Sequence, residues 1–160
     1  MVVRFYLREL QISDHSVVRE IYSDAIKTQG HPLYSTQQIE AWSALAWLPG
    51  ILDKPLMEGR GWVSCVQNVI EAFALIYPLD RLALLYCRGR SSRHGHATAL
   101  LETVENEAKK EGQLKLFTEA SLLSYPLLLR QGWLLTGLEK IAIGGISFDR
   151  YLMAKSLVQN

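Results

Sequence analysis

The run Ser92-Arg93-His94-Gly95-His96-Ala97-Thr98 joins a basic side chain to a glycine just before an amphipathic stretch. That combination can hold an anion. Ala97, Leu100, Leu101, Val104 and Ala108 mark one face at helical spacing, and Glu102, Glu105, Lys109 and Lys110 mark the other. The first N–H groups of such a helix have no partner within it, and the aligned peptide dipoles leave partial positive charge there. Gly95 lets the main chain come close to a ligand, and Ala97 keeps the first turn small. Arg93, with Arg90 or Arg88, adds charge-assisted hydrogen bonds to phosphate oxygens. No acid occurs between Asp80 and Glu102. The competing reading is a solvated basic loop whose arginines pair with acids elsewhere, such as Glu105. Residue chemistry alone leaves the two open.

Other reactive side chains are weaker candidates. His94 and His96 stand two apart without a third ligand nearby, so no metal is expected. Cys87 has the chemistry of a nucleophile, but a cysteine at a strand end is more often a small buried apolar residue. Cys65 and Cys87 have no metal spacing, and two thiols make a poor disulfide framework; free thiols and a cytoplasmic protein are expected. His31, Tyr34, Trp42 and Trp47 gather near two early helices and are candidates for a pocket, although aromatics at helical spacing are more often core.

The elements that must position these residues follow from periodicity. Val3, Phe5 and Leu7 alternate with Arg4, Tyr6 and Arg8, the pattern of a strand. Ser13 has the character of an N-cap before Val18, Ile21, Tyr22 and Ala25. Ser35 and Gln38 have capping-box spacing ahead of Ile39, Trp42 and Ala46. Trp47 to Gly61, rich in Pro and Gly, is expected to be irregular. "WVSCV" and "VIEAFALIY" form a hairpin at Gln67-Asn68, and "RLALLY" is a short strand leading into the basic loop. After the helix, stopped by Gly112, come the strand "LKLFTEA", the short helix "SLLSYPLLLRQ", and two strands around Gly144-Gly145. The 160 residues, without linker or repeat, read as one α/β domain spanning 1–160. A net charge of +1 argues against bulk binding to nucleic acid or anionic membrane, so an anion site must be local. The N-terminus has no long apolar stretch, so neither a signal peptide nor a membrane span is expected.

Three blocks carry a family resemblance. "LLYCRGRSSRHGHATALLETVENEAKKEG" resembles motif A of the GNAT superfamily of acyl-CoA-dependent N-acetyltransferases, where a strand leads through Q/R-x-x-G-x-G/A into a helix. "FTEASLLSYPLLLRQGW" resembles the next block, which closes with Y-x-R-x-G-F. "SFDRYLMAKSL" is similar to the M-x-K-x-L strand that closes many members. Together they span Leu84 to Leu157 in the family's order.

The resemblance implies a mixed, mostly antiparallel sheet of about seven strands with about four helices. It implies transfer of acetyl from acetyl-CoA to an amine of a small molecule or peptide, without a metal, nucleic acid or membrane partner; a homodimer is compatible with it. It assigns the pyrophosphate to Ser92, Arg93, His94, Gly95, His96, Ala97 and Thr98, and the pantetheine arm to Leu85, Tyr86 and Cys87. A backbone N–H near Tyr86 or Cys87 would stabilise the oxyanion. The general base would be Glu119 or Glu71, each of which also reads as an ordinary strand carboxylate. Ser92 and Arg93 depart from the motif's usual Gln or Arg and Gly. Leu128 falls where many members have the tyrosine that protonates the departing thiolate. Tyr125, one turn earlier on the same face, is the substitute, unless it is a packed aromatic. A non-catalytic acyl-CoA-binding domain is the alternative, and a nucleic-acid module a distant third.

Overall fold

The computed structural model describes residues 4–158, so Val3 lies outside the described residues. Strand β1 is Tyr6–Glu9. A 3-10 turn at Ile12–Asp14 then leads into helix α1, His15–Gln29. Ser13 sits inside that turn instead of capping the helix. Asp14 does the anchoring, accepting from the Gln11 N–H at 2.8 Å and from both Nη atoms of Arg8. Helix α2, Thr36–Ser43, has the predicted capping box: Ser35 Oγ accepts from the Gln38 N–H, and Gln38 Oε1 accepts from the Ser35 N–H. The segment expected to be irregular contains a further helix, α3, Asp53–Glu58. Pro55 is tolerated there because it falls in the first turn, where no intrahelical N–H bond is lost.

Strands β2 (Arg60–Val66) and β3 (Val69–Ile76) form the expected hairpin. Gln67 and Asn68 both have positive φ, 49° and 70°, as a two-residue turn matched to strand twist requires. Strand β4 is Leu82–Cys87 and helix α4 is His96–Lys110. Strand β5 (Lys115–Ala120), helix α5 (Tyr125–Arg130) and the long arm β6 (Leu134–Ile143) and β7 (Ile146–Ser156) complete the chain. Among the described residues the helices are thus five, in line with the expectation of about four, and α3 is the addition.

The seven strands form two sheets, ordered β1-β2-β3-β4 and β5-β7-β6, with every ladder antiparallel. Among the described residues they meet only where β4 and β5 begin. There Arg81 and Phe117 make a parallel bridge, the Phe117 N–H donates to Asp80 O at 2.9 Å, and Thr118 Oγ1 donates to Leu82 O at 2.7 Å. Beyond that point the strands do not pair. Apolar packing closes both faces: α1, α2 and α3 lie over Val63, Phe73 and Phe148, and α4 and α5 over Ala72, Leu116 and Met153. This leaves one gap in the sheet, between the C-terminal ends of β4 and β5.

Candidate active site

The gap has unused backbone groups along one edge. The Arg88 N–H donates to Glu71 O at 2.8 Å, and β3 and β4 pair Phe73 with Tyr86 and Ala74 with Leu85. Antiparallel ladders alternate, so Tyr86 turns its N–H and C=O toward β3, while Leu85 and Cys87 turn theirs into the gap. Of the two N–H groups expected to stabilise the oxyanion, that of Cys87 faces the gap and that of Tyr86 does not. Gln29 Nε2 already occupies the Cys87 carbonyl at 2.7 Å. The side chains alternate too. Tyr86 packs toward α1 and α2, and Leu85 and Cys87 toward α4.

Where β4 ends, a 3-10 turn at Gly89–Ser91 carries the chain to α4. From Arg93 to Thr98, six consecutive main-chain N–H groups have no acceptor among the described residues; the first bond belongs to the Ala99 N–H, on Gly95 O. Arg93 and Gly95 bring this about with positive φ, 64° and 93°. Gly95 adopts that conformation without strain, and its missing Cβ would have met nothing closer than 3.8 Å. The donors lie at a helix N-terminus with an exposed guanidinium, Arg93, beside them. Such a cluster fits a phosphate group.

The other arginines are committed elsewhere. Arg90 makes two bonds to the Glu71 carboxylate, and Arg88 bonds Glu20 and the Ile70 carbonyl. The loop is therefore not uniformly unpaired: Arg93 alone of the three has no acidic partner among the described residues. Glu105, the alternative partner, instead meets Lys155 and the Trp133 indole.

Glu71 does not suit the role of a base. It is buried, the Arg90 ion pair holds its carboxyl below the usual range against its burial, and Ser91 Oγ also donates to it. It ties the loop to β3. Cys87 does not suit a nucleophile, since burial and then the charges of Glu71 and Asp24 push its thiol up to about 12. His96 buries its ring beside Phe5, with Nδ1 2.7 Å from Ser64 Oγ, so only its main-chain N–H faces the loop. His94 is exposed, Ser92, Ala97 and Thr98 are half-buried, and none of the four has a side-chain hydrogen bond among the described residues.

On the α1/α2 side the gap opens into a cavity of about 210 Å³. Tyr34, Trp42 and Glu119 line it, as the sequence suggested, but exposed His31 and Trp47 do not. Glu119 is held by Arg81 Nε at 2.7 Å. Leu128 and Ser124 line the cavity, whereas Tyr125 does not; its ring stacks on Tyr151 with centroids 4.6 Å apart. Sequence reasoning missed Tyr22, Phe148 and Arg150, and the role of the Tyr86 side chain. These come from separate elements, and no local spacing signals them.

No protein-family model matches the sequence, and no curated protein does. Solved structures do resemble it. A GCN5-related N-acetyltransferase from Rhodopseudomonas palustris superimposes with a TM-score of 0.91 at 24% identity, covering 98% of both chains. PaiA N-acetyltransferase from Thermoplasma acidophilum, in complex with coenzyme A, gives 0.76 at 17%, covering 96% of this chain and 99% of that one. The ribosomal-protein-S18-alanine N-acetyltransferase of Escherichia coli gives 0.67 at 17%, covering 98% and 96%. At these identities the likeness speaks for architecture. With its strand pair parting beside a donor-rich helix N-terminus, the chain has the GNAT fold, that of the GCN5-related N-acetyltransferases.

Proposed function

We propose that this protein is an acetyl-CoA-dependent N-acetyltransferase acting on an amine by direct attack in a ternary complex. The observation that carries the reading is the continuity between the free N–H groups of Arg93–Thr98 and the unpaired backbone edge at Leu85 and the Cys87 N–H. Together they make a track for a pyrophosphate followed by an amide-bearing arm, and the track ends at the mouth of a cavity. Acetyl-CoA, when bound, supplies an acetyl thioester. The chain's own part is to hold it and to orient an amine against it, since a correctly placed pair replaces a bimolecular encounter. The Cys87 N–H is the donor for negative charge growing on the acetyl oxygen. Glu119 is the one carboxylate of the two expected bases that lines the cavity, and it would receive the amine's proton directly or through water.

One observation favours a second reading, a domain that binds acyl-CoA without transferring the acyl group. Leu128 is a buried apolar residue where a proton donor is expected, and both candidate bases are ion-paired. Calorimetry with CoA, followed by an acetyl-transfer assay over amines, separates the two. Binding with transfer supports the enzyme, binding without transfer supports the second reading, and absence of binding defeats both.

A further inference from the structure

The cavity beside the gap has a specific composition. Among aliphatic side chains its lining carries one cluster of five touching rings: Tyr22 and Tyr86 lie with ring centroids 4.6 Å apart, Trp42 stands 6.4 Å from Tyr86 and 5.2 Å from Tyr34, and Phe148 stands 6.2 Å from Trp42. These rings come from α1, the turn after it, α2, β4 and β7, so the cluster exists only in the folded chain. Flat apolar walls of this kind favour a flat apolar guest. Burial holds the phenols of Tyr22 and Tyr86 above their usual range, so both remain neutral donors at physiological pH.

The charges at the cavity are balanced. Arg81 pairs with Glu119, Arg150 with Glu139, and Asp149 with Lys140 at 3.6 Å. Among the described residues no uncompensated acid lines the cavity to attract a polycation. Arg150 is instead underused: Nη2 bonds Glu139, while Nη1 has no hydrogen-bond partner among the described residues. Tyr151 pairs with Ala120, the last residue of β5, so Arg150 falls one step beyond the end of that strand, beside the gap. A guanidinium with spare donors there suits a carboxylate next to the reacting amine.

The roof limits the guest's length. Gln38 Nε2 donates to Ser147 O at 3.1 Å, and Phe148 packs on Tyr34 and Trp42, fastening the β6–β7 arm to α2. An extended peptide crossing the cavity would have to break these contacts.

Resting on the acetyltransferase reading above, we infer that the acceptor is an aromatic α-amino acid, with its ring against the Trp42–Phe148 cluster, its carboxylate on Arg150 and its amine at the gap. The test is calorimetry of L-phenylalanine against the CoA-saturated protein, compared with phenethylamine, which lacks the carboxylate, with alanine, which lacks the ring, and with spermidine and a short peptide. Phenylalanine should bind at least about 10-fold tighter than each, since one charge-assisted contact or one buried ring is worth that much. Equal binding of phenethylamine overturns the assignment to Arg150. Equal binding of alanine overturns the assignment to the aromatic cluster. Preference for spermidine or the peptide overturns the proposal outright. Arg150→Gln should abolish the preference for phenylalanine over phenethylamine while leaving CoA affinity unchanged. Should that variant not fold, the panel on the unaltered protein still decides. Phenylalanine binding without acetylation would leave the pocket assignment standing and defeat the transferase reading. Acetylation of another amine without phenylalanine binding would do the reverse.

Discussion

His96 Nδ1 lies 2.7 Å from Ser64 Oγ, and this contact fixes the first residue of α4 to strand β2. The ring is 1% exposed, its Nε2 has no partner among the described residues, and Phe5 covers it with centroids 4.4 Å apart. The free N–H groups of the loop are thus aimed by a buried imidazole. Burial lowers the His96 pKa despite the attraction of Glu71. The unfolded chain therefore takes up a proton first as pH falls. The stability His96 contributes is fully present above its unfolded pKa, about 6.5, and is lost as pH drops from there toward the lowered folded value. Melting temperature should fall between pH 7 and pH 5.5, and His96→Gln, which keeps a partner for Ser64 but cannot titrate, should flatten that slope. An unchanged slope would mean that the proton goes elsewhere.

Arg93 is the loop cation with no ion-pair partner among the described residues, so its charge is available to a ligand. Arg93→Glu should weaken CoA binding about 100-fold, removing one charge-assisted contact and adding repulsion, each worth about 1.5 kcal/mol. Lys110→Glu, at the far end of α4, should leave it unchanged. Arg93→Gly relieves a left-handed φ of 64° at a cost of the contact alone, so it should weaken binding only about 10-fold. Calorimetry with CoA measures all three. Equal affinity of the Glu and Lys110 variants would locate the anion site elsewhere.

Glu71 was a plausible base on sequence, and its surroundings give it another task. Glu71→Gln should reduce stability by about 2 kcal/mol, because it leaves Arg90 without its charge partner and leaves the well-buried Arg88 with Glu20 as its one remaining carboxylate. Turnover measured well below the melting temperature should change less than threefold, about 0.6 kcal/mol in barrier. A collapse of kcat at unchanged stability would return Glu71 to the chemistry.

These cases show where sequence reading stops. The Gln67-Asn68 turn, the Ser35–Gln38 box and the face of α4 were legible because each rests on residues within a few positions of one another. So was the donor-rich loop, since a helix start preceded by a flexible basic stretch is a local feature. The pairing of Arg88 with Glu20 spans 68 positions, that of Arg81 with Glu119 spans 38 and that of Arg90 with Glu71 spans 19, so the acid-free interval looked unpaired when three of its four arginines were not. Helix α3 was hidden because Pro55, between Gly50 and Gly59, signals a break unless its place in the first turn is known. The Tyr22–Tyr86–Trp42 cluster joins three elements that only the fold brings together.

Tyr125 and Leu128 share a helical face in sequence, but only Leu128 borders the cavity. The phenol of Tyr125 is engaged in stacking on Tyr151, so Tyr125→Phe should leave kcat and CoA affinity close to their starting values. Leu128→Tyr places a phenol at a position that lines the cavity. If loss of the thiolate limits turnover, that variant should raise kcat without changing CoA affinity, because the new proton donor acts only as thiolate character develops. General acid catalysis is typically worth about 100-fold, well above assay scatter. A drop in kcat for Tyr125→Phe at unchanged melting temperature would show that the tyrosine reaches the gap after all and would restore it as the proton donor. No gain from Leu128→Tyr would mean that another step, such as amine deprotonation or product release, sets the rate, and attention would pass to Glu119.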